Sequence, residues 1–297
     1  MEYKSASALE MAIKEMAKIS PLDTNRAISG FYFHRFLCRV FANNNSAFVL
    51  KGGQSVLART LNARATRDID LVSAHQSIEE ALNNLKLLAQ RDLNDFIYFE
   101  FKNALPIKNE DDYRSGLSVK FTPIIGSKHM QDISIDLVVD QIPLDDTEKI
   151  TPVDRIDIKG LQSCDYLVYP VASALSDKFC ALIESHNGKA SSRVKDLVDI
   201  VIYALTCNIL GDKLQKQIER EIKVRNLELP ETFALPDQWR EAHARQYSKL
   251  CSQTGIPTYL HQIDVAKTLA GKLFNPVLTD KVAGLFWDHN ELAWIKQ

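Results

Sequence analysis

The segments that decide this fold are Val49-Leu50-Lys51-Gly52-Gly53 and Thr66-Arg67-Asp68-Ile69-Asp70-Leu71. The first ends a short apolar run in a glycine pair, and the second places two carboxylates two residues apart among apolar residues. Side chains alternate between the two faces of a strand. The second segment therefore predicts Asp68 and Asp70 on one face of a strand, with the apolar residues packed on the other face.

This pair of segments has the composition of a nucleotide and metal site. Adjacent carboxylates repel each other unless a hard cation lies between them, and Mg²⁺ commonly takes one or two carboxylates together with substrate phosphates. A glycine turn lets backbone N–H groups approach phosphates without a Cβ in the way. Taken singly, a Gly-Gly is more often a plain turn, and an Asp-x-Asp is more often a solvated strand end. The thirteen residues between Gln54 and Asp68 fit a helix and a turn, which makes the pair more specific.

The pattern resembles the DNA polymerase β-like nucleotidyltransferase superfamily, whose signature is an apolar residue, Gly-Gly, Ser or Thr, a spacer and Asp-x-Asp. Gln54 stands where the superfamily usually has Ser or Thr, so Ser55 becomes the candidate for that hydroxyl. The superfamily usually supplies a third carboxylate from a later strand, as a further metal ligand or as a base. Asp136 is the favoured candidate because it alternates with apolar residues, and Asp132 and Asp140 are weaker alternatives.

Length and composition describe an ordinary globular protein. The 297 residues, 45% hydrophobic and 25% charged, allow two domains or one two-lobed unit. No apolar run approaches the roughly 20 residues that span a bilayer, and the N-terminus lacks a signal-peptide pattern. Five scattered cysteines predict free, buried thiols in a reducing cytoplasm, and the histidine spacing argues against zinc. The net charge of −2 argues against non-specific coating of nucleic acid, although local basic patches govern a polynucleotide substrate.

Periodicity predicts an α+β fold with a mixed sheet and flanking helices, followed by a helical C-terminal lobe. We place the first domain, a palm with N-terminal helices, at residues 1–165 and the helical domain at 166–297. The predicted strands are 47–50, 68–72, 96–101, 117–125 and 133–139. The predicted helices are 6–19, 24–43, 54–61, 77–90, 171–185, 192–208, 212–225, 237–253, 261–273 and 279–295.

Two helices of the second half carry unusual charges. Lys178 lies in the middle of an apolar stripe, where a lysine either extends to the surface or meets a fixed anion. In the next helix, Arg193, Asp196 and Asp199 share one face at three-residue spacing. A surface salt-bridge ladder would produce the same spacing.

The order of these motifs resembles the AbiEii family of nucleotidyltransferase toxins, with which the MenT toxins belong. Those motifs are the glycine turn, Arg-x-Thr-Arg-Asp-x-Asp, the lone lysine and Arg-x-Lys-Asp-x-x-Asp. The resemblance implies that Asp68 and Asp70 hold Mg²⁺, with Mn²⁺ as an alternative, that Lys178 contacts nucleotide phosphates, and that Asp196 is a further essential carboxylate, activating the acceptor hydroxyl. Thr66 stands where some relatives carry a Ser that antitoxins phosphorylate. The full set of predicted nucleotide contacts is Lys51, Gly52, Gly53, Ser55, Thr66, Arg67, Lys178 and Arg193.

By that resemblance, the function is transfer of nucleotides, pyrimidines by family analogy, from a nucleoside triphosphate to the 3′ end of tRNA. Such transfer blocks aminoacylation and hence translation. The implied partners are the nucleoside triphosphate, the tRNA acceptor end and a cognate antitoxin, and no membrane. No residue pattern identifies tRNA, so other readings stay open. These are a small-molecule nucleotidyltransferase of the aminoglycoside type, an enzyme transferring AMP to protein, and a nucleotide-binding protein with a degenerate site.

Overall fold

The structure, a computed structural model, describes residues 3–107, 114–140, 146–186 and 188–296. The chain forms two compact units. The first consists of Met1–Leu61 and Ala65–Tyr169, and the second of Asn62–Arg64 and Pro170–Gln297. The domain boundary predicted from the sequence lies between residues 165 and 166. In the structure, the first unit extends to Tyr169 because residues 166–168 form a strand that pairs within its sheet.

The first unit contains both helices and strands. In chain order they are α1 (Ala6–Ile19), α2 (Thr24–Phe41), β1 (Phe48–Lys51), α3 (Gly52–Arg59), β2 (Asp68–Ser73), α4 (Ile78–Ala89), β3 (Ile97–Pro106), β4 (Arg114–Ile125), β5 (Lys128–His129), β6 (Ile133–Asp140), β7 (Glu148–Ile150) and β8 (Tyr166–Val168).

Among the described residues, these strands form one mixed sheet in the order β3-β4-β6-β2-β1-β8-β7, with β5 paired to β4. The β2–β6 and β1–β8 pairs are parallel, and the others are antiparallel. Side chains from α1, α2 and α4 pack with apolar residues of this sheet in one core, in which Phe36, Ile69 and Ile135 are fully buried. The predicted α+β class, a mixed sheet with flanking helices, is confirmed.

The second unit is mainly helical. Its elements are α5 (Val171–Ile183), β9 (Ser185–His186), β10 (Lys189–Ala190), α6 (Val194–Thr206), β11 (Ile209–Leu210), α7 (Gly211–Val224), α8 (Glu241–Cys251), α9 (Ile263–Leu278), β12 (Leu285–Asp288) and β13 (Ala293–Lys296). Its core includes contacts of Phe179 and Phe233 with Phe274, at ring-centroid distances of 4.9 and 5.5 Å. None of the helices within the described ranges has both the length and the apolar character needed to cross a membrane.

The helix predicted over 279–295 is wrong. That segment contains β12 and β13, which form an antiparallel hairpin that also pairs with β11. Asp288 causes the reversal, because its carboxylate accepts hydrogen bonds from the backbone N–H groups of Asn290 and Glu291. Trp287 is fully buried and donates from Nε1 to the Ala204 carbonyl at 2.8 Å. A local turn and a distant packing site therefore override the weak helical pattern.

Candidate active site

Four polar residues form a row across the centre of the first unit's sheet. Asp70 of β2 pairs with Asp136 of the parallel strand β6, and on its other side with Lys51 of β1. Ser118 of β4 pairs with Asp136 and donates a hydrogen bond to its carboxylate. Directly paired residues project from the same face of a sheet. The register therefore brings the second aspartate of the Asp-x-Asp motif and the predicted third carboxylate together.

Asp68 lies two residues before Asp70 on the same face. In β2, both aspartates are half-buried while Ile69 and Leu71 are fully buried, so the predicted alternation is present. The carboxylate of Asp68 accepts hydrogen bonds from the Thr66 hydroxyl at 2.8 Å and from the Arg67 backbone N–H at 3.2 Å. These two residues, predicted as nucleotide contacts, fix the orientation of the first carboxylate.

The pKa of Asp136 is raised above its ordinary value. Burial is the main cause, the negative charge of Asp68 adds to it, and Ser118 and Lys51 oppose it. Repulsion and desolvation of this kind disappear when a cation binds beside a carboxylate. Asp132, one of the weaker alternatives, is exposed and accepts a hydrogen bond from Thr122 at 2.5 Å. The Asp140 side chain lies outside the described part of the structure.

The glycine turn lies against the Asp70 carboxylate. Gly52 begins α3 with φ +64°, and a Cβ built on it would be 1.8 Å from Asp70 Oδ2. Both the left-handed backbone and the close approach require glycine. Gly52 and Gly53 form the first turn of α3, whose N-terminal N–H groups lack a side-chain cap among the described residues. N–H groups of this kind suit phosphate oxygens, and they lie next to the carboxylate row.

The two residues after the glycines point elsewhere. Ser55 is fully buried, and its hydroxyl donates to the Gly52 carbonyl at 2.8 Å. Gln54 is also buried and donates from Nε2 to Asp154 at 3.0 Å. In this structure both side chains hold the turn in shape. The predicted contact between the Ser55 hydroxyl and a phosphate finds no support in that arrangement.

Gly52→Ala is expected to lose roughly 100-fold in transfer rate, because a displacement of about 1 Å at a reacting group can cost that much. The positive φ adds a destabilisation of about 1–3 kcal/mol. Steady-state kinetics and thermal melts measure the two effects. Gly284→Ala is the matched control, since Gly284 has φ +65° and a Cβ added there would meet no atom within 4 Å. If Gly52→Ala were no less active than that control, the close approach to Asp70 would not matter.

The carboxylate row fits a hard divalent cation. Among the described residues, no three His, Cys, Asp or Glu side chains are already arranged as a metal cage. Mg²⁺ does not require one, because it is bound by one or two carboxylates plus waters and substrate phosphates. Here the clustered carboxylates, the raised pKa of Asp136 and the open glycine turn supply those conditions. Asp68, Asp70 and Asp136 are the residues that would hold the metal.

The second unit contains a buried ion-pair network centred on Lys178. Its Nζ atom lies 2.7 Å from Asp199 Oδ2 and 3.1 Å from Asp196 Oδ1. Burial by itself lowers the pKa of Lys178, but the two carboxylates more than offset it and the pKa is raised. Lys178 therefore does not extend to the surface. It meets a fixed anion, and the carboxylates of Asp196 and Asp199 supply it.

Asp196 also pairs with Arg193, the residue just before α6. Arg193 Nε lies 2.5 Å from Asp196 Oδ2, and its side chain is 62% exposed. Burial raises the pKa of Asp196, yet Lys178 and Arg193 together lower it below the ordinary value. Asp196 and Asp199 are buried, so the surface salt-bridge ladder is not what forms here.

Arg64 completes the network and had no predicted site role. Its guanidinium binds the Asp199 carboxylate with two hydrogen bonds, both of 3.0 Å. Three cations, Lys178, Arg193 and Arg64, therefore contact the two carboxylates. The sequence signal was present, because Arg64 opens the Arg-x-Thr-Arg-Asp motif and Asp199 closes Arg-x-Lys-Asp-x-x-Asp. The pairing itself joins residues 135 positions apart.

The chain matches a known protein family. The family model described as "Nucleotidyl transferase AbiEii toxin, Type IV TA system" matches residues 35–262, most of the chain. The chain belongs to the AbiEii family. The predicted resemblance is thereby confirmed, and the match includes the glycine turn, the aspartates, Lys178 and Asp196.

A solved structure shares the fold of this chain. MenT4, a nucleotidyltransferase toxin from Mycobacterium tuberculosis H37Rv, has a TM-score of 0.54 at 14% identity over 92% of this chain and 89% of that chain. Two Helicobacter pylori proteins match less well. A nucleotidyltransferase has a TM-score of 0.39 at 16% identity over 82% and 97% of the chains. JHP933 has a TM-score of 0.38 at 17% identity over 80% and 94% of the chains. A search of curated proteins finds no match.

Proposed function

We propose that this AbiEii-family protein transfers a nucleotide from a nucleoside triphosphate to the 3′-terminal hydroxyl of tRNA, with Mg²⁺ as the metal and Mn²⁺ as a substitute. The single observation that carries the chemistry is the register that pairs Asp70 with Asp136 while Gly52 lies against the Asp70 carboxylate. That geometry supports placing the α-phosphate and the metal beside one another. The tRNA acceptor and a pyrimidine donor come from family analogy.

We assign binding of the nucleoside triphosphate to residues of the first unit. The N–H groups of Gly52 and Gly53 receive the phosphate chain, and Lys51 contributes positive charge beside Asp70. Asp68, oriented by Thr66 and Arg67, would hold the metal together with Asp70 and Asp136. When bound, the metal stabilises the charge that develops on the α-phosphate and the departing pyrophosphate.

Asp136 is assigned to the metal site with Asp68 and Asp70, because it is the sheet partner of Asp70. Asp196 does not take the proton of the attacking hydroxyl, because Lys178 and Arg193 lower its pKa and are already paired with it. Asp196 therefore acts as a positioning residue that holds those two cations.

Exposed cations near the start of α6 support an anionic acceptor. Lys189, Arg193 and Lys195 are exposed around Asp196. These cations begin a basic stretch that extends from Lys189 to Arg225. Arg225, at its other end, is buried among Asp177, Glu184 and Glu221, so it is structural. The phosphate-backbone contacts we expect are therefore confined to the beginning of the stretch.

An aromatic pair borders the same segment. Trp239 donates from Nε1 to the Ser191 carbonyl at 2.5 Å, and its ring stacks on His243 with centroids 5.4 Å apart. Trp239 is half-buried, so part of its indole is available to solvent. Unpaired bases stack on such side chains, with about 1–3 kcal/mol per base. We assign this pair to the single-stranded end of the acceptor.

Transfer to a polyanionic acceptor is expected to fall steeply with salt, because each phosphate contact releases counterions. Lys195→Ala should reduce the slope of log affinity against log salt by about one. The measurement is acceptor affinity over a series of KCl concentrations. Lys267→Ala, at another exposed lysine of the second unit, is the control and should leave the slope unchanged. A slope near zero for the unmodified protein would exclude an RNA acceptor.

The acceptor itself is tested by supplying three classes of substrate separately. Purified protein receives Mg²⁺ and each α-labelled nucleoside triphosphate in turn, with total tRNA, an aminoglycoside mixture or bacterial protein. We expect label in the tRNA band, with CTP or UTP as the donor. Label only in the aminoglycoside or the protein sample would keep the chemistry and overturn the acceptor. A cognate antitoxin is expected to suppress toxicity on expression.

A further inference from the structure

Two cysteines of the first unit are in direct contact. Cys38 of α2 and Cys164, two residues before β8, have their Sγ atoms 3.0 Å apart. They are 126 positions apart in the chain, so tertiary structure alone creates the pair. The sequence predicts that all five cysteines are free, buried thiols. This contact involves none of the residues assigned to the nucleotidyl transfer.

A histidine and a tyrosine surround the thiol pair. His34, one helical turn before Cys38, places Nε2 at 3.4 Å from the Cys38 Sγ atom. Its Nδ1 atom lies 2.5 Å from the hydroxyl of Tyr166, the first residue of β8. The hydrogen bond from the Cys164 thiol and the nearby His34 together lower the pKa of Cys38 below its ordinary value, against the effect of burial. The thiolate is the form that reacts in thiol–disulfide exchange.

The two cysteine residues differ in their exposure to solvent. Cys38 is 2% exposed, whereas Cys164 is half-buried. A small reagent therefore reaches Cys164 first, and the buried Cys38 is held at contact distance behind it. This is the arrangement of an entry thiol and a resolving thiol.

We infer that Cys38 and Cys164 form a reversible intramolecular disulfide by exchange with a low-molecular-weight disulfide. In the first step the proton of Cys164 passes to the Cys38 thiolate as Cys164 attacks one sulfur of the reagent. One thiolate of the reagent leaves and takes that proton from Cys38, which restores the Cys38 thiolate. In the second step the Cys38 thiolate attacks the Cys164 sulfur and the second reagent thiolate leaves. Two protein thiols are oxidised and one reagent disulfide is reduced to two thiols.

The cross-link has a defined structural effect. It joins α2 to the segment that leads into β8, and β8 pairs with β1 next to the glycine turn. Closing so long a loop restricts the unfolded chain, so the oxidised protein should melt at a higher temperature than the reduced protein. Among the described residues, no cluster around these thiols has the three ligands of a metal site, which favours disulfide chemistry over metal binding.

The test is incubation of the purified full-length protein with oxidised glutathione, followed by intact mass and peptide mapping. We expect the protein to lose two hydrogen atoms, to yield a peptide that joins Cys38 to Cys164, and to regain its original mass with dithiothreitol. After this oxidation, thiol titration under denaturing conditions should show two fewer reactive thiols in the protein without substitutions than it shows before oxidation. Cys164→Ser should give neither change. Cys207→Ser, at a half-buried cysteine of the second unit, should behave like the unmodified protein.

Three results would overturn the inference. One is a stable glutathione adduct on Cys164 with no cross-linked peptide, and another is the absence of any mass change. The third is a bound zinc ion that survives dialysis and shields both thiols. The mass and titration of the unmodified protein decide the matter even if Cys164→Ser fails to fold. No result depends on nucleotidyl transfer, so failure of the proposed function would leave this inference standing.

Discussion

Asp70→Asn is expected to reduce nucleotidyl transfer by about three orders of magnitude, because an amide removes the charge that the metal and the α-phosphate require. Asparagine keeps the size of the side chain and its approach to Gly52, so the fold should be retained. The apo variant should melt near the temperature of the unmodified protein, since the change removes one negative charge from a row that contains other carboxylates. Single-turnover kinetics and thermal melts measure the two effects.

The matched control is Asp132→Asn. Asp132 lies just before β6 and is bound to Thr122. It should retain most of the activity, which would exclude Asp132 as the third carboxylate. Full activity in Asp70→Asn, or equal losses in the two variants, would remove the metal role from the sheet row.

Lys178→Met is expected to lose at least about 100-fold in transfer rate and about 3–5 kcal/mol of stability. The stability loss follows because Lys178 is buried against Asp196 and Asp199, and its removal leaves their charges less compensated. A stability change alone therefore does not separate a catalytic lysine from a structural one. Kinetics and chemical denaturation are both needed.

A second variant separates these roles. Lys178→Met combined with Asp196→Asn removes one positive and one negative charge together. It leaves the Arg64–Asp199 pair intact and frees only the exposed Arg193, so it should recover part of the stability. It should not recover transfer if the lysine serves the nucleotide phosphates. Recovery of both stability and activity would reduce Lys178 to a structural cation.

The part of the site that the sequence predicted depends on local signals. Alternation placed Asp68 and Asp70 on one face of β2, and the apolar pattern of β6 singled out Asp136. The register that pairs Asp70 with Asp136 was not predictable, because it is set by how whole strands pack against a common core. The same limit hid the approach of Gly52 to Asp70, which depends on the left-handed backbone at the start of α3.

The motifs do not predict contacts between residues that are far apart in the sequence. Arg64 and Asp199 each belonged to a quoted motif, yet nothing in their spacing predicted a two-point ion pair. The C-terminal hairpin shows a related limit, since Trp287 is held by the Ala204 carbonyl on α6. Tertiary packing overrode local propensity there.

The most direct test of the central claim compares α-labelled with γ-labelled CTP in parallel reactions with total tRNA. The account predicts that the α-label enters RNA, that the γ-label is released in pyrophosphate, and that Asp70→Asn abolishes both signals. Transfer of the γ-label to the acceptor would indicate phosphoryl transfer instead. Undiminished α-label transfer by Asp70→Asn would contradict the role given to the carboxylate row.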